Sequence, residues 1–137
     1  MSFSEIIQNS LLQADASASS WASIAELRQP HLIVDLHGSP DPPISRAVYL
    51  RWAIEDGPLP DLGVLSALER LGVNFIQAGG AVVTKCNMGL NRSGLLSALI
   101  VSRLQSLSGA EALRYVRSKI PEAVRNPAFE AYLERER

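Results

Sequence analysis

The only cysteine of the chain, Cys86, begins a short segment whose residue types could bind and attack a small anion. Gly89 follows three positions later, Arg92 six and Ser93 seven. A cysteine thiolate is a nucleophile, and a guanidinium can bond two oxygens of a phosphate at once. A glycine lets the backbone close around the ion because it has no side chain to obstruct the approach. The spacing therefore predicts attack of Cys86 on phosphorus beside Arg92, with Ser93 bonded to the sulfur.

This segment lies between a predicted strand, AVVTK (81–85), and a predicted helix that starts at Arg92. In α/β sheets, ligands bind beyond the carboxyl ends of the strands, where helix N-termini point. Backbone N–H groups of such a loop converge on an anion, and the same surroundings favour a thiolate over a thiol. We therefore expect the whole loop to bind the phosphate, that is Asn87, Met88, Gly89, Leu90, Asn91 and Arg92.

The rest of the chain alternates between strand and helix patterns. Further strands are predicted over Glu5–Ile7, Ser10–Gln13, HLIVDL (31–36) and AVYLRWAI (47–54), and residues 37–46 are a proline-rich loop. Helices are predicted to begin after the capping residues Ser20 and Asp61, at Arg92, at Gly109 and after Asn126. This alternation indicates a single α/β domain over residues 1–137. Its central, mostly parallel sheet of about five strands is flanked by helices, with the phosphate-binding loop between a strand and a helix.

Composition narrows the class of protein. The chain has 137 residues, 47% of them hydrophobic, and a formal net charge of −1. That apolar content excludes a disordered chain, and the balanced charge gives no general attraction to nucleic acid or to a membrane. A lone cysteine excludes an intramolecular disulfide and a multi-cysteine metal cage. We expect a cytoplasmic protein, because the N-terminus shows no basic stretch followed by an apolar run.

The segment Cys86-Asn-Met-Gly-Leu-Asn-Arg-Ser resembles the C-x5-R-[ST] signature of the cysteine-dependent protein tyrosine phosphatases, most closely their compact dual-specificity branch. Three other segments are similar to elements of that branch: SEIIQNSLLQA to its first two strands, LIVDL to a core strand and RNPAFEAYL to its closing helix. The resemblance implies hydrolysis in two steps through a phosphocysteine at Cys86, with no cofactor and no metal. The substrate would be a phosphoprotein or another phosphomonoester, with phosphotyrosine first and phosphoserine or phosphothreonine left open.

The reaction also needs a general acid, because alkoxides and phenoxides leave poorly near neutral pH. The loop AIEDGPLPDL follows a predicted strand and carries Glu55, Asp56 and Asp61. Members of the family place this acid on an Asp about thirty residues before the cysteine, which by resemblance is Asp56. Asp61 is better explained as a helix cap, and Asp35 as a structural residue.

Two positions depart from the family pattern or suggest another branch. Lys85 stands where the family usually has histidine, and we expect it to place a cation beside the thiolate. Asn91 gives a Gly-x-Asn-Arg sequence similar to that of RNA 5′-triphosphatase relatives. An RNA 5′-phosphatase and a phosphate-binding pseudophosphatase therefore remain alternatives, although the net charge argues against a nucleic-acid partner. A monomer is expected.

Overall fold

The computed structural model describes residues 3–37, 47–135 and 137. Within these ranges the strands are β1 (Phe3–Ile7), β2 (Leu11–Ala14), β3 (His31–Asp35), β4 (Ala47–Arg51) and β5 (Ala81–Lys85). The helices of the same ranges are α1 (Ala18–Ala25), α2 (Leu62–Gln77), α3 (Arg92–Gln105), α4 (Gly109–Lys119) and α5 (Pro127–Arg135).

These strands form one sheet in the order β1-β2-β5-β3-β4. β1 pairs antiparallel with β2 and every other pairing is parallel, so the predicted mostly parallel α/β sheet is confirmed. Lys85 at the end of β5 is in register with Ala14 of β2 and with Asp35 of β3. The three strands therefore end at one level, and the segment that begins at Cys86 leaves from the middle of that edge.

The two faces of the sheet are covered by different helices. Successive side chains of a strand point to opposite faces, and both faces of the inner strands are apolar here. One face packs with α2, α3, α4 and α5 through Leu11, Leu32, Val34 and Val82. The other packs with Trp21 and Ile24 of α1 through Leu12, Ile33 and Val83. Each fully buried Leu, Ile or Val contributes about 1.5–3 kcal/mol, so both layers fix the sheet that carries the loop.

The start of α2 agrees with the boundary predicted from sequence, whereas the start of α1 differs from it. Asp61 caps α2 as predicted, with its carboxylate accepting from the N–H of Val64 at 2.9 Å. The cap of α1 is Ser17 rather than the predicted Ser20. Asp15 accepts hydrogen bonds from the N–H and the hydroxyl of Ser17, which turns the chain directly after β2 and starts the helix three residues earlier.

The predicted strand over residues 47–54 is shorter in the structure, where β4 ends at Arg51. The N–H groups of Trp52 and Ile54 still donate to the carbonyls of Asp35 and Leu36, so this segment stays against β3 while it leaves the sheet. Of the predicted loop over residues 37–46, all but His37 lies outside the described residues. None of the described helices combines the length and apolar character needed to cross a bilayer.

Candidate active site

Residues 86–93, which join β5 to the first turn of α3, are called the phosphate loop below. Cys86 lies at its base with 1% of its surface exposed. Its sulfur accepts from the N–H of Ser93 at 3.4 Å and lies 3.1 Å from the Ser93 hydroxyl oxygen. The N-cap position of α3 is Asn91, whose side chain makes no capping bond. The first turn of α3 therefore directs an N–H group at sulfur without competition from a cap.

The outer wall of the phosphate loop is held by the chain after β2. Gly89 has φ +71°, and a Cβ there would lie 2.9 Å from the carbonyl carbon of Ala14. The N–H of Ala16 donates to the carbonyl of Asn87 at 3.1 Å. Gln13, which is 2% exposed, donates its amide to the carbonyl of Gly89 at 2.8 Å. The predicted need for glycine is thus explained by backbone packing against backbone.

Among the residues that the structure describes, Arg92 is anchored through one nitrogen of its guanidinium. Nη1 donates to the carbonyl of Ile54 at 2.8 Å and to that of Leu36 at 3.4 Å. Nε is buried and has no hydrogen-bond partner among the described residues. Two carbonyl oxygens thus fix the guanidinium. Its buried Nε–H lacks an acceptor among those residues, which costs free energy unless a bound ligand accepts that hydrogen bond.

The remaining loop residues form its rim. Met88 is 68% exposed, Asn87 is exposed, and Leu90 is half-buried with its carbonyl accepting from Val124 at 3.2 Å. Residues 87–91 carry no charge. The rim is therefore apolar or neutral, and positive charge comes from Arg92 at the loop's end.

Asp56 reaches the phosphate loop from the segment between β4 and α2, here called the acid loop (residues 55–61). Its Oδ2 accepts from the side-chain amide of Asn91 at 2.9 Å. Asp56 is exposed, as is its neighbour Glu55, while Asp61 is engaged in capping α2. Of the three carboxylates proposed from sequence, Asp56 is the one bonded to the phosphate loop.

No family profile matches the chain. Dual specificity protein phosphatase 15 of mouse is 28% identical over 106 residues, which cover 74% of this chain and 44% of that protein. The rat protein of the same name is 29% identical over the same shares. The matched region thus spans less than half the length of these curated relatives.

Solved structures match over nearly the whole chain. Human DUSP28 has a TM-score of 0.84 at 25% identity, covering 98% of this chain and 91% of that one. Tk-PTP in its active form has a TM-score of 0.80 at 26% identity, covering 97% and 94%. In sequence and in fold, the chain is thus similar to the dual-specificity-like branch of the protein tyrosine phosphatase superfamily. DUSP15, with a TM-score of 0.83 at 22% identity and coverage of 96% and 85%, has the same fold.

The side chain of Lys85 does not lie where the sequence predicts it. Its side chain is fully buried, with Nζ 3.9 Å from Oδ2 of Asp35 and 4.9 Å from the ring centre of Trp21. Trp21 belongs to the layer under α1, whereas Cys86 belongs to the opposite layer. The expectation of a cation beside the sulfur is therefore wrong, because strand alternation sends residues 85 and 86 to different faces.

The charge of Lys85 is balanced by carboxylates on the α1 face. Asp35, also fully buried, accepts from the Tyr49 hydroxyl at 2.6 Å and from the N–H of His37 at 2.9 Å. Asp15 lies nearby: burial raises its pKa, but hydrogen bonds from Ser17 and Ser20 and the charge of Lys85 hold that pKa below its ordinary value. Asp35 is thus a structural residue, as predicted.

Two residues of the site were missed from sequence. Gln13 supports the phosphate loop, and its signal was a polar side chain within an apolar, buried strand. Asn126 was read only as the start of α5, yet its amide donates to Oδ1 of Asp56 at 2.9 Å. No local pattern reveals that contact, because the two residues are 70 positions apart.

Proposed function

We propose that the protein hydrolyses phosphomonoesters through a phosphocysteine at Cys86, with phosphotyrosine as its main substrate and phosphoserine or phosphothreonine as further substrates. The observation that carries the proposal is the pairing of Cys86 with Arg92. A buried sulfur accepts a hydrogen bond from a helix N-terminal N–H, and the guanidinium six residues later has a buried donor with no partner among the described residues. Together these groups supply a nucleophile and a complement for phosphate oxygens.

In the first step, the Cys86 thiolate forms a bond to phosphorus while the bond from phosphorus to the ester oxygen breaks. Asp56 gives its proton to the departing oxygen, which leaves as an alcohol or phenol. Loop N–H groups and the free edge of Arg92 bind the equatorial oxygens, whose charge is greatest in the transition state. No metal or cofactor enters this scheme.

In the second step, water attacks the phosphocysteine and sulfur departs as a thiolate. The Asp56 carboxylate accepts the proton that the water loses, which restores the acid. Ser93 supports this step, since its N–H and hydroxyl lie 3.4 and 3.1 Å from the sulfur. The products are inorganic phosphate and the free enzyme.

The rim of the loop favours an aryl phosphate. Met88, two residues after the nucleophile, is 68% exposed and offers an adaptable apolar surface to an aromatic ring. Residues 87–91 carry no positive charge that would attract the further phosphates of a polyanion. The amide of Asn91, the feature that suggested an RNA 5′-phosphatase, is bonded to Asp56 and to the backbone of Arg125.

The test is release of inorganic phosphate from three substrates: a phosphotyrosine peptide, a phosphothreonine peptide and 5′-triphosphate RNA. We expect the phosphotyrosine peptide to have the highest kcat/KM, with turnover lost in Cys86→Ser and retained in EDTA. Cys86→Ser should still bind vanadate, because the loop amides and Arg92 remain. Preference for the RNA would favour the RNA-phosphatase alternative. Vanadate binding by the native protein without turnover of any substrate would indicate a pseudophosphatase.

A further inference from the structure

A small cavity lies between the phosphate loop and the first two strands. It is called the side cavity below, and it is bordered by Met88 and Leu90 of the loop and by Gln13 and Asp15 at the end of β2. It shares no lining residue with the cleft beside Asp56. Its volume is about 240 Å³, below the roughly 300–1,000 Å³ of small-molecule sites. A space of this size suits a single side chain.

The walls of the side cavity are largely apolar. Phe3 of β1 and Ile120, which follows α4, line it together with Met88 and Leu90. None of the described residues that line it is basic. Met88 is 68% exposed, so this wall can be reached by an incoming chain. Such walls suit the aliphatic stem of a long side chain.

Gln13 contributes a hydrogen-bond acceptor without a partner among the described residues. The residue is 2% exposed, and its Oε1 is buried and unpaired there. Its amide nitrogen donates to the carbonyl of Gly89 at 2.8 Å, which fixes the direction of the amide, because reversal would set oxygen against oxygen. A buried acceptor of this kind costs free energy unless a donor reaches it. The side cavity therefore favours an occupant that carries N–H or O–H groups.

Asp15 adds a negative charge to the same cavity. The hydrogen bonds that it accepts from Ser17 and Ser20 all go to Oδ1, which leaves Oδ2 to a ligand. Burial raises the pKa of Asp15, but these bonds hold that pKa below its ordinary value, so the carboxylate is charged near neutral pH. Lys85, whose charge also lowers this pKa, is fully buried and does not line the cavity. Two acceptors, one of them an anion, match the planar fork of N–H groups of an arginine better than the point charge of a lysine.

We propose that the side cavity is a substrate subsite that binds an arginine side chain close to the phosphorylated residue of a peptide; this inference rests on the proposed function. A peptide whose phosphate lies in the phosphate loop must cross the rim that contains Met88 and Leu90, and these two residues also border the side cavity. The stem of the arginine packs on the apolar walls, and its guanidinium donates to Gln13 and Asp15. A glutamate or a second phosphate at that place is disfavoured, because its charge meets that of Asp15.

The test uses phosphotyrosine peptides that differ in a single residue, placed in turn from two positions before the phosphotyrosine to two positions after it. That residue is arginine, citrulline, norleucine or glutamate, and citrulline keeps the shape of arginine without its charge. At one position we expect kcat/KM of the arginine peptide to exceed that of the citrulline peptide about 10-fold, as a charge-assisted hydrogen bond provides. The glutamate peptide should be the poorest of the four.

Two cavity variants locate the effect. Asp15→Asn removes the charge while its amide oxygen can still accept from Ser17, and Ser4→Lys places an ammonium on the wall without touching α1. Each result is the ratio of kcat/KM for the arginine and citrulline peptides on the same variant, so any change in the catalytic step cancels. We expect a ratio of about 2 or less in Asp15→Asn and an inverted preference in Ser4→Lys. Asn74→Lys adds the same charge at an exposed site of α2 and should keep the native ratio.

Three results would each overturn the subsite: equal kcat/KM for the arginine and citrulline peptides at every position, a norleucine peptide that is the best of the four, or an arginine preference that survives both cavity variants. If no peptide is hydrolysed through Cys86, the proposed function fails instead. The same ratio is then taken from the Kd values of the peptides for Cys86→Ser, and equal Kd values would overturn the subsite as well.

Discussion

Replacing Lys85 by methionine tests which face of the sheet this lysine serves. Lys85 and Asp35 are both fully buried, with Nζ and Oδ2 3.9 Å apart. Removing one partner of a buried ion pair costs about 3–5 kcal/mol, because the remaining charge stays away from water. Asp35 keeps the Tyr49 hydroxyl and the N–H of His37, so we expect a loss of unfolding free energy at the lower end, about 3 kcal/mol.

The assay is urea denaturation followed by circular dichroism, with kcat measured on p-nitrophenyl phosphate where each variant is fully folded. Lys85→Met should lower the urea midpoint with an unchanged slope. The double variant Lys85→Met/Asp35→Asn should recover most of that loss, since no unpaired charge stays buried. kcat should change by less than about threefold, or roughly 0.6 kcal/mol, because the ammonium and the sulfur of Cys86 lie on opposite faces.

Two outcomes would contradict the pairing of Lys85 with Asp35. If Lys85→Met costs less than about 1 kcal/mol of stability yet lowers kcat about 100-fold, the lysine acts on the sulfur, and its placement with Asp35 is wrong. Equal destabilisation by the single and double variants would also refute the ion-pair argument, since it would mean that the buried charge of Asp35 contributes nothing.

Four further predictions concern other side chains. Arg92→Lys should lower kcat about 10²–10³-fold, because an ammonium lacks the planar fork; an unchanged kcat would remove Arg92 from the site. Asp56→Asn should slow phosphotyrosine hydrolysis about 10²–10⁴-fold while sparing esters of acidic phenols. Asp61→Asn should instead lower only the urea midpoint, and an exchange of these two results would reassign the acid. Because the folded-state pKa of Asp15 is lowered, its carboxylate stabilises the fold above the ordinary value of 3.8, and that contribution is lost as pH falls. The urea-midpoint difference between native protein and Asp15→Asn should thus be constant from pH 7 to 5 and shrink in more acidic buffer; growth on acidification would contradict this.

The phosphate loop could be predicted from sequence because its geometry is local. Cys86, Gly89 and Arg92 lie within seven residues, and the strand before them and the helix after them have clear patterns. Asp61 was also readable, since a cap bonds to a residue three positions away. Contacts between residues only a few positions apart can be predicted from a short stretch of sequence.

The support around the loop could not be read in the same way. The bond from Gln13 to Gly89 joins residues 76 positions apart, and that from Asn126 to Asp56 joins residues 70 apart. Such contacts depend on strand order and helix packing, which no window of sequence shows. The position of Lys85, by contrast, follows from the sequence. Side chains of a strand alternate between the two faces of the sheet, so residue 85 points to the face opposite that of Cys86.

The wall of the phosphate loop also bears on how the protein matures. Gly89 rests on the backbone of Ala14, so the loop takes its shape only when the amino-terminal hairpin has met β5. Contacts so distant in sequence close late, because the intervening chain must first lose its conformational entropy. Until then Cys86 is the thiol of an unstructured peptide, without the helix terminus that directs its chemistry. If the proposed function is right, a newly made chain therefore acquires its nucleophile and its fold in one event, and we expect partly folded forms to lack both activity and phosphate affinity.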